Sequence, residues 1–172
     1  MNIQKAGICI RPGAIECLKE LSKSFELISF TASDGEYANA ILNFLDPNNE
    51  IFKCRLSREH CVITDEGFFV KDLRIFANRN IKDIVLIDNS ATSFLFQLEN
   101  GIPVLPYFGG CEDSELLDLT NYLKSLDGLD DVREANKKMF KIKEMYQCSN
   151  LDDLFQVFFL KHISSLMEKV VL

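Results

Sequence analysis

The sequence has few basic residues and no cluster of them. Its 172 residues include 19 lysines and arginines against 26 aspartates and glutamates, which gives a formal net charge of −7. Proteins that bind DNA or RNA directly usually present a basic patch to the phosphates. Because no Lys/Arg-rich block occurs in this sequence, we expect no direct contact with nucleic acid.

Long apolar runs, a secretory leader and paired cysteines are also missing. No apolar stretch reaches the roughly 18 residues of a membrane-spanning helix, and no signal peptide is visible. The six cysteines contain no CxxC pair, and Cys9 and Cys17 lie in apolar stretches, which is typical of reduced intracellular thiols. These absences predict an intracellular protein without direct membrane insertion, in the nucleus, the cytoplasm or an organelle such as the mitochondrion.

The length and the 47% apolar content suit one domain with a substantial core. Strand-like and helix-like stretches alternate along the chain, and Ser33 or Asp34 is placed to cap a helix after the second strand. The predicted strands are 3–10, 25–30, 83–89 and an edge-like strand at 101–108, with a hairpin turn at 65–67. Later helices are predicted at 113–125, 130–141 and 151–169. This alternation indicates an open α/β sheet, in which ligands bind at the carboxyl ends of the strands.

Polar side chains follow three of the apolar stretches. Thr31 follows LISF, Lys71 follows FFV, and Asp88 and Asn89 follow IVLI. Taken singly, Thr31 is an ordinary helix-start residue and Lys71 an ordinary solvated lysine. Together they indicate a phosphoryl site, because a hydroxyl and an amine can hold phosphoryl oxygens while a carboxylate holds Mg²⁺.

Several segments of the chain resemble one protein family. RPGAIECLKELSKSFELISFTAS, LSREHCVITDEGFFVKDL, IVLIDNS and QLENGIPV are similar to the small C-terminal-domain phosphatases of RNA polymerase II, the NLI-interacting-factor-like group of the haloacid dehalogenase superfamily. The resemblance implies a haloacid-dehalogenase-like (Rossmann-like) α/β fold, a parallel sheet flanked by helices, with C-terminal helices added. It divides the chain into a phosphatase-like domain at 1–145 and a C-terminal helical extension at 146–172.

The resemblance also implies roles for the residues at the strand ends. Thr31 would bind phosphate, Lys71 would steady the phosphoryl group, and Asp88 would bind Mg²⁺ with Asn89 beside it. Active members of the family begin with a strand ending in DxDx(T/V), whose first Asp attacks phosphorus and whose second acts as general acid and base. No such motif occurs in this sequence. The four residues are therefore expected to be remnants of a site that requires no cofactor, with Mg²⁺ bound only if the site is functional.

The missing motif favours a catalytically inactive protein. We expect a pseudophosphatase that serves as an interaction or structural subunit of a larger assembly, as the receptor subunit of the mitochondrial inner-membrane translocase does with a related domain. One alternative is a Mg-dependent protein serine/threonine phosphatase that acts through an aspartyl-phosphate and has lost its nucleophile motif by truncation. Another is a phosphopeptide-binding module.

The absence of the motif also implies the absence of the strand that carries it. In this superfamily that first strand lies in the centre of the sheet, so its loss leaves two neighbours with unpaired backbone groups in the core. Residues 3–10 could replace the strand, a protein partner could donate or cover it by β-augmentation, or the natural chain could begin upstream of Met1.

The residue pattern of the C-terminal segment 151–171 predicts a helix, and we expect this helix to bind a partner protein. Acidic residues lie in its first turn, as the helix dipole favours, and its apolar residues cover nearly the whole circumference rather than one stripe. The alternative is deep packing in its own domain. The candidate partner-binding residues are Phe155, Phe158 and Phe159.

Overall fold

The computed structural model describes residues 8–110 and 112–148. The helices in these ranges are α1 (Ala14–Leu21), α2 (Gly35–Leu45), α3 (Glu115–Leu126), α4 (Val132–Phe140) and α5 (Ile142–Cys148). The strands are β1 (Leu27–Phe30), β2 (Phe52–Leu56), β3 (Val62–Ile63), β4 (Phe69–Val70), β5 (Leu86–Asp88) and β6 (Gly101–Pro103). None of the helices in the described ranges is long and apolar enough to cross a membrane.

Local sequence explains where the first two helices begin. Gly13 precedes α1 with a φ of 74°, a left-handed conformation that glycine adopts without steric cost. Asp34 caps α2, since its carboxylate accepts the backbone N–H of Glu36 at 2.9 Å. The prediction that Ser33 or Asp34 caps this helix is therefore confirmed, with Asp34 as the cap.

The strands form three pairs. β1 lies parallel to β2, with Phe30 opposite Leu56, and β5 lies parallel to β6, with Asp88 opposite Pro103. β3 and β4 form an antiparallel hairpin, and Gly67 in its turn has a φ of 86°. The predicted hairpin is confirmed, and so is the parallel pairing of an α/β sheet.

The strands predicted at 25–30, 83–89 and 101–108 are shorter in the structure, as β1, β5 and β6. Residues 8–10 form no strand, and the rest of the predicted strand at 3–10 lies outside the described residues. β6 ends at Pro103 rather than continuing to residue 108. The N–H of Val104 still donates to the carbonyl oxygen of Asp88 at 3.1 Å, but the N–H of Leu105 donates to the Glu115 carboxylate at 2.8 Å. Pro106, which follows, has no N–H to donate to a ladder.

Strand β1 is less buried than predicted. The sequence predicts a buried strand, but all four residues of Leu27–Phe30 are only half-buried. In the described ranges β1 pairs on one edge only, with β2, and β5 pairs on one edge only, with β6. An open edge leaves the adjacent side chains partly exposed to water, which explains the difference.

Two apolar clusters form the core. The first contains the buried residues Cys17, Leu21, Ile102, Leu123, Leu126 and Val132. The second contains the buried residues Leu73, Leu86, Phe94 and Ile142. Leu27 of β1 and Ile87 of β5 both pack against the first cluster, so the two parallel strand pairs share one core.

Helix α5 crosses the predicted domain boundary between residues 145 and 146. The Tyr146 hydroxyl donates to the carbonyl oxygen of Ala91 at 2.6 Å, its ring packs against the second cluster, and burial raises its pKa to about 12. Residue 146 thus packs with the phosphatase-like domain, while the division into domain and extension stays a prediction. The predicted helix at 151–169, with its three phenylalanines, lies outside the described residues.

The four described cysteines are free thiols. Cys17 is buried, Cys61 is half-buried, and Cys9 and Cys54 are exposed. The apolar surroundings predicted for Cys9 are therefore wrong, because the segment before α1 lies at the surface.

Candidate functional site

Lys71 and Asp88 form a buried ion pair where β4 and β5 end. Lys71 follows β4 directly and Asp88 is the last residue of β5. The Lys71 Nζ donates to Oδ2 of Asp88, and the two side chains are 8% and 9% exposed. The view of Lys71 as an ordinary solvated lysine is therefore wrong, because the turn after β4 directs its side chain inward to this carboxylate.

The second oxygen of Asp88 also has a partner. Oδ1 of Asp88 accepts the backbone N–H of Ser90 at 2.7 Å, so both carboxylate oxygens are engaged by the protein. Asn89, the neighbour that the sequence places beside the site, is exposed. Asp88 is thus held in one orientation by Lys71 on one side and by its own loop on the other.

Thr31 lies at the end of β1, close to this pair. Its N–H donates to the carbonyl oxygen of Leu56 at 3.0 Å, and its hydroxyl accepts the N–H of Ser33 at 3.1 Å. The preceding residue, Phe30, presents its ring 5.9 Å from the Lys71 Nζ. The carboxyl ends of β1 and β5, which belong to parallel pairs, therefore meet the end of the hairpin strand β4 in one region.

Cys61 is a member of this region that the sequence did not indicate. Its Sγ lies 3.9 Å from the carbonyl oxygen of Thr31 and donates to it. Burial raises the pKa of the Cys61 thiol, with Lys71 acting to lower it and Asp88 to raise it. A single cysteine with no motif around it carries no chemical signal in a sequence, and here it supplies a neutral thiol at the edge of the site.

Lys71 is positioned by the segment that follows it. The Lys71 N–H donates to the carbonyl oxygen of Ser93 at 3.3 Å. Gln97 donates from Nε2 to the Asp72 carboxylate at 3.0 Å and accepts the N–H of Leu73 at 3.1 Å. The chain after β4 is therefore tied to the chain after β5 at three points, which fixes the backbone that carries Lys71.

Asp72 makes the stability of the fold depend on pH. The Arg74 guanidinium, bonded to the Asp72 carboxylate at 2.6 to 3.0 Å, is the main cause that lowers the pKa of Asp72 to about 2. A carboxyl with a lowered folded-state pKa stabilises the fold above its ordinary value near 4, and this stabilisation is lost as the pH falls towards 2.

Replacement of Asp72 by asparagine is expected to cost about 1 kcal/mol at pH 7, because charge-assisted hydrogen bonds are lost. The cost should shrink as the pH approaches 2, where the wild-type carboxyl also loses its charge. Urea unfolding of both proteins at pH 7, 4 and 2.5 measures the difference. A cost that does not change with pH would contradict this role for the Asp72 charge.

The groups at the strand ends do not by themselves form a magnesium site. Mg²⁺ takes about six oxygen ligands in octahedral geometry, and Asp88 could supply only part of that set from the lone pairs left beside the hydrogen bonds that its two oxygens accept. Within residues 8–110 and 112–148, no three His, Cys, Asp or Glu side chains are grouped so that they could hold a metal ion. The roles of Asp88 and Asn89 as metal ligands therefore remain predictions from the resemblance.

A hydroxyl and a carboxylate at the ends of the parallel-paired strands β1 and β5, with an ammonium after the hairpin strand β4, are the groups expected in a phosphatase-like α/β protein. The family model of the NLI interacting factor-like phosphatases matches residues 2–133. The chain therefore belongs to the NLI interacting factor-like phosphatase family, as the sequence motifs indicate.

Similar proteins carry related names. CTD small phosphatase-like protein 2 of Dictyostelium discoideum is 46% identical over 135 residues, which are 78% of this chain and 23% of that protein. CTD small phosphatase-like protein 3 of Caenorhabditis elegans is 40% identical over 136 residues, which are 78% of this chain and 47% of that protein. This chain thus spans less than half the length of either relative.

Solved structures of the RNA polymerase II CTD phosphatase Fcp1, one of them from fission yeast, are also similar. One, bound to beryllium fluoride, has a TM-score of 0.48 at 20% identity. A second has a TM-score of 0.49 at 22% identity. In both comparisons the match covers 93% of this chain and 48% of the other.

Proposed function

We propose that this polypeptide is a phosphatase-like protein that does not hydrolyse phosphate esters by itself and serves as an interaction or structural subunit of a protein assembly. The observation that carries the proposal is the set of groups at the strand ends. Lys71 is bonded to Asp88, and its Nζ lies 5.9 Å from the ring of Phe30, the residue before Thr31. None of the 172 residues forms the DxDx(T/V) motif that supplies the family's nucleophile.

The state of the Lys71–Asp88 pair supports the same function. A phosphoryl group is held by cations and N–H groups that are free to bind its oxygens. Here the Lys71 ammonium is neutralised by Asp88, and the remaining Asp88 oxygen accepts the N–H of Ser90. The charges are thus satisfied within the protein, where they connect β4 to β5.

A second function is favoured by the same three strand ends. Thr31, Lys71 and Asp88 keep the residue types of a phosphoryl site, and relatives are named as CTD small phosphatases. With a nucleophile strand supplied from outside these 172 residues, the site would suit a Mg-dependent phosphatase of phosphoserine or phosphothreonine peptides. In that case Lys71 would neutralise the phosphoryl oxygens instead of Asp88.

The 172-residue chain is expected to show no turnover of p-nitrophenyl phosphate or of a phosphoserine peptide in the presence of Mg²⁺. No carboxylate in the sequence replaces the missing nucleophile, so the aspartyl-phosphate route is closed to this chain. Release of p-nitrophenol and of inorganic phosphate measures the activity. Asp88→Asn and the exposed control Glu26→Gln are assayed beside it, with circular dichroism to confirm that each variant is folded.

The outcomes separate the candidate functions. Turnover that Asp88→Asn abolishes and Glu26→Gln leaves unchanged would refute the non-catalytic function. Turnover that appears only when a strand ending in Asp-x-Asp-x-Thr is fused ahead of Met1 would favour the phosphatase. Binding of the phosphoserine peptide without turnover, lost in Lys71→Met, would favour a phosphopeptide-binding module.

A further inference from the structure

Four exposed lysines lie where α4 ends and α5 begins. Lys137 and Lys138 are in the last turn of α4, Lys141 follows that helix, and Lys143 is in the first turn of α5. Lys137 and Lys143 line the same cleft, so the turn between the two helices brings the lysines to one surface. Three apolar residues interrupt them in the sequence, and they form a compact group only in the folded chain. We call these four lysines the basic patch.

The charges of the basic patch have no partner within the described part of the chain. Each arginine of residues 8–110 and 112–148 donates a side-chain hydrogen bond to an acceptor on the protein. In the same ranges, no ammonium group of the basic patch makes an ion pair or a hydrogen bond. Positive charge is therefore concentrated at one surface of a chain that has 26 acidic and 19 basic residues.

Helix stability accounts for only half of the basic patch. Cations in the last turn of a helix complement its dipole, which explains Lys137 and Lys138. Lys141 has a φ of 50°, the left-handed conformation in which glycine is usual at a helix end and a Cβ is disfavoured. Lys143 lies in the first turn of α5, where the dipole favours an acidic residue. Two of the four lysines thus occupy positions at which the fold alone would favour another residue.

The basic patch is small and has acidic neighbours. The six-residue separation of Lys137 and Lys143 spans about 9 Å of helical chain, which about three residues of an extended chain match. Glu134 lies one turn before Lys138, Glu144 follows Lys143 directly, and both glutamates are exposed. A long nucleic acid or an anionic bilayer would bring its charges within about 8 Å of these carboxylates, the distance over which charges interact at physiological salt. A short acidic segment avoids this repulsion.

We propose that the basic patch binds a short acidic segment of a partner protein, a run of about three or four aspartates and glutamates whose charge is complementary to the four lysines. This inference rests on the proposed function as an assembly subunit and names the chemistry of the partner segment. The basic patch lies outside residues 2–133, which the family model matches. It is therefore separate from the segment that defines the family and from the groups at the strand ends.

Fluorescence anisotropy with the full 172-residue chain tests the proposal. The probe is the peptide fluorescein-Gly-Asp-Glu-Asp-Glu-Gly-amide, and the same peptide with asparagine and glutamine in place of the acids is the neutral control. We expect the chain to bind the acidic peptide and not the neutral one. The dissociation constant should rise at least about threefold between about 50 and 300 mM NaCl, because salt screens exposed charges.

The variant Lys141→Gly/Lys143→Gln separates binding from folding. Because the fold favours neither lysine, urea unfolding should show no loss of stability, whereas the dissociation constant of the acidic peptide should rise about fivefold. The control variant Lys19→Gln/Lys53→Gln has the same net charge and removes two exposed lysines outside the basic patch. Its dissociation constant should change by less than about twofold. If the first variant does not fold, Lys137→Gln/Lys138→Gln takes its place.

The outcomes decide the proposal. A loss of affinity confined to the patch variant supports it. Failure of the acidic peptide to bind, or an equal loss in the patch and control variants, overturns it. Tighter binding of hexathymidylate or of phosphatidylserine vesicles than of the acidic peptide, lost in the patch variant, also overturns it, because the occupant would then be another kind of polyanion. No turnover is measured, so this result is independent of the phosphatase assays.

Discussion

Replacement of Asp88 by alanine is expected to lower the free energy of unfolding by about 3–5 kcal/mol, because it leaves the Lys71 ammonium buried without a counter-charge. The two side chains are 8% and 9% exposed, so water cannot easily take the place of the carboxylate. The substitution also removes the acceptor for the N–H of Ser90. Urea unfolding at pH 7, followed by circular dichroism, measures the loss.

A matched control separates burial from charge. Glu26 pairs with Arg79 at the surface, where the side chains are 41% and 52% exposed, and Glu26→Ala should cost less than about 1 kcal/mol. The double variant Lys71→Met/Asp88→Leu removes both charges and should be more stable than Asp88→Ala alone. If Asp88→Ala costs no more than Glu26→Ala, the pair is not buried in solution.

Features that depend on neighbouring residues were predictable from the sequence. The cap at Asp34 requires only its own carboxylate and the next turn of helix, and the hairpin turn at Gly67 requires only a residue that accepts a positive φ. The strands that carry Thr31 and Asp88 follow from short apolar runs bounded by polar residues. These local signals also placed the candidate site residues at strand ends.

Features that depend on distant parts of the chain were not predictable. The pairing of Lys71 with Asp88 joins two different strand ends, and nothing in the residues around Lys71 distinguishes a buried lysine from a solvated one. The half-burial of β1 depends on whether a strand lies beside its second edge. Cys61 enters the site only because the segment after β2 returns to the end of β1.

Phe94 connects the site to the core below it. It is 1% exposed and belongs to the second apolar cluster with Leu73 and Leu86. Its neighbour Ser93 accepts the N–H of Lys71. The ring also lies against Gly101, the first residue of β6, where an added Cβ would approach the Phe94 Cγ to 2.7 Å. Glycine at position 101 therefore leaves room for a full aromatic ring beneath β5 and β6.

Phe94→Ala is expected to lower the free energy of unfolding by about 3–5 kcal/mol, because it removes a fully buried ring and leaves a cavity. Gly101→Ala alone should cost about 1–3 kcal/mol, since its methyl group overpacks the same space. In the double variant the methyl group meets no ring, so its loss of stability should fall short of the sum of the two single losses by at least about 1 kcal/mol. Urea unfolding of the wild type, the two single variants and the double variant completes this double-mutant cycle. If Phe94→Ala does not fold, Phe94→Leu, which changes the side-chain volume less, takes its place. Strictly additive losses would mean that residues 94 and 101 are not in contact, and the packing described beneath the Lys71–Asp88 pair would then be incorrect.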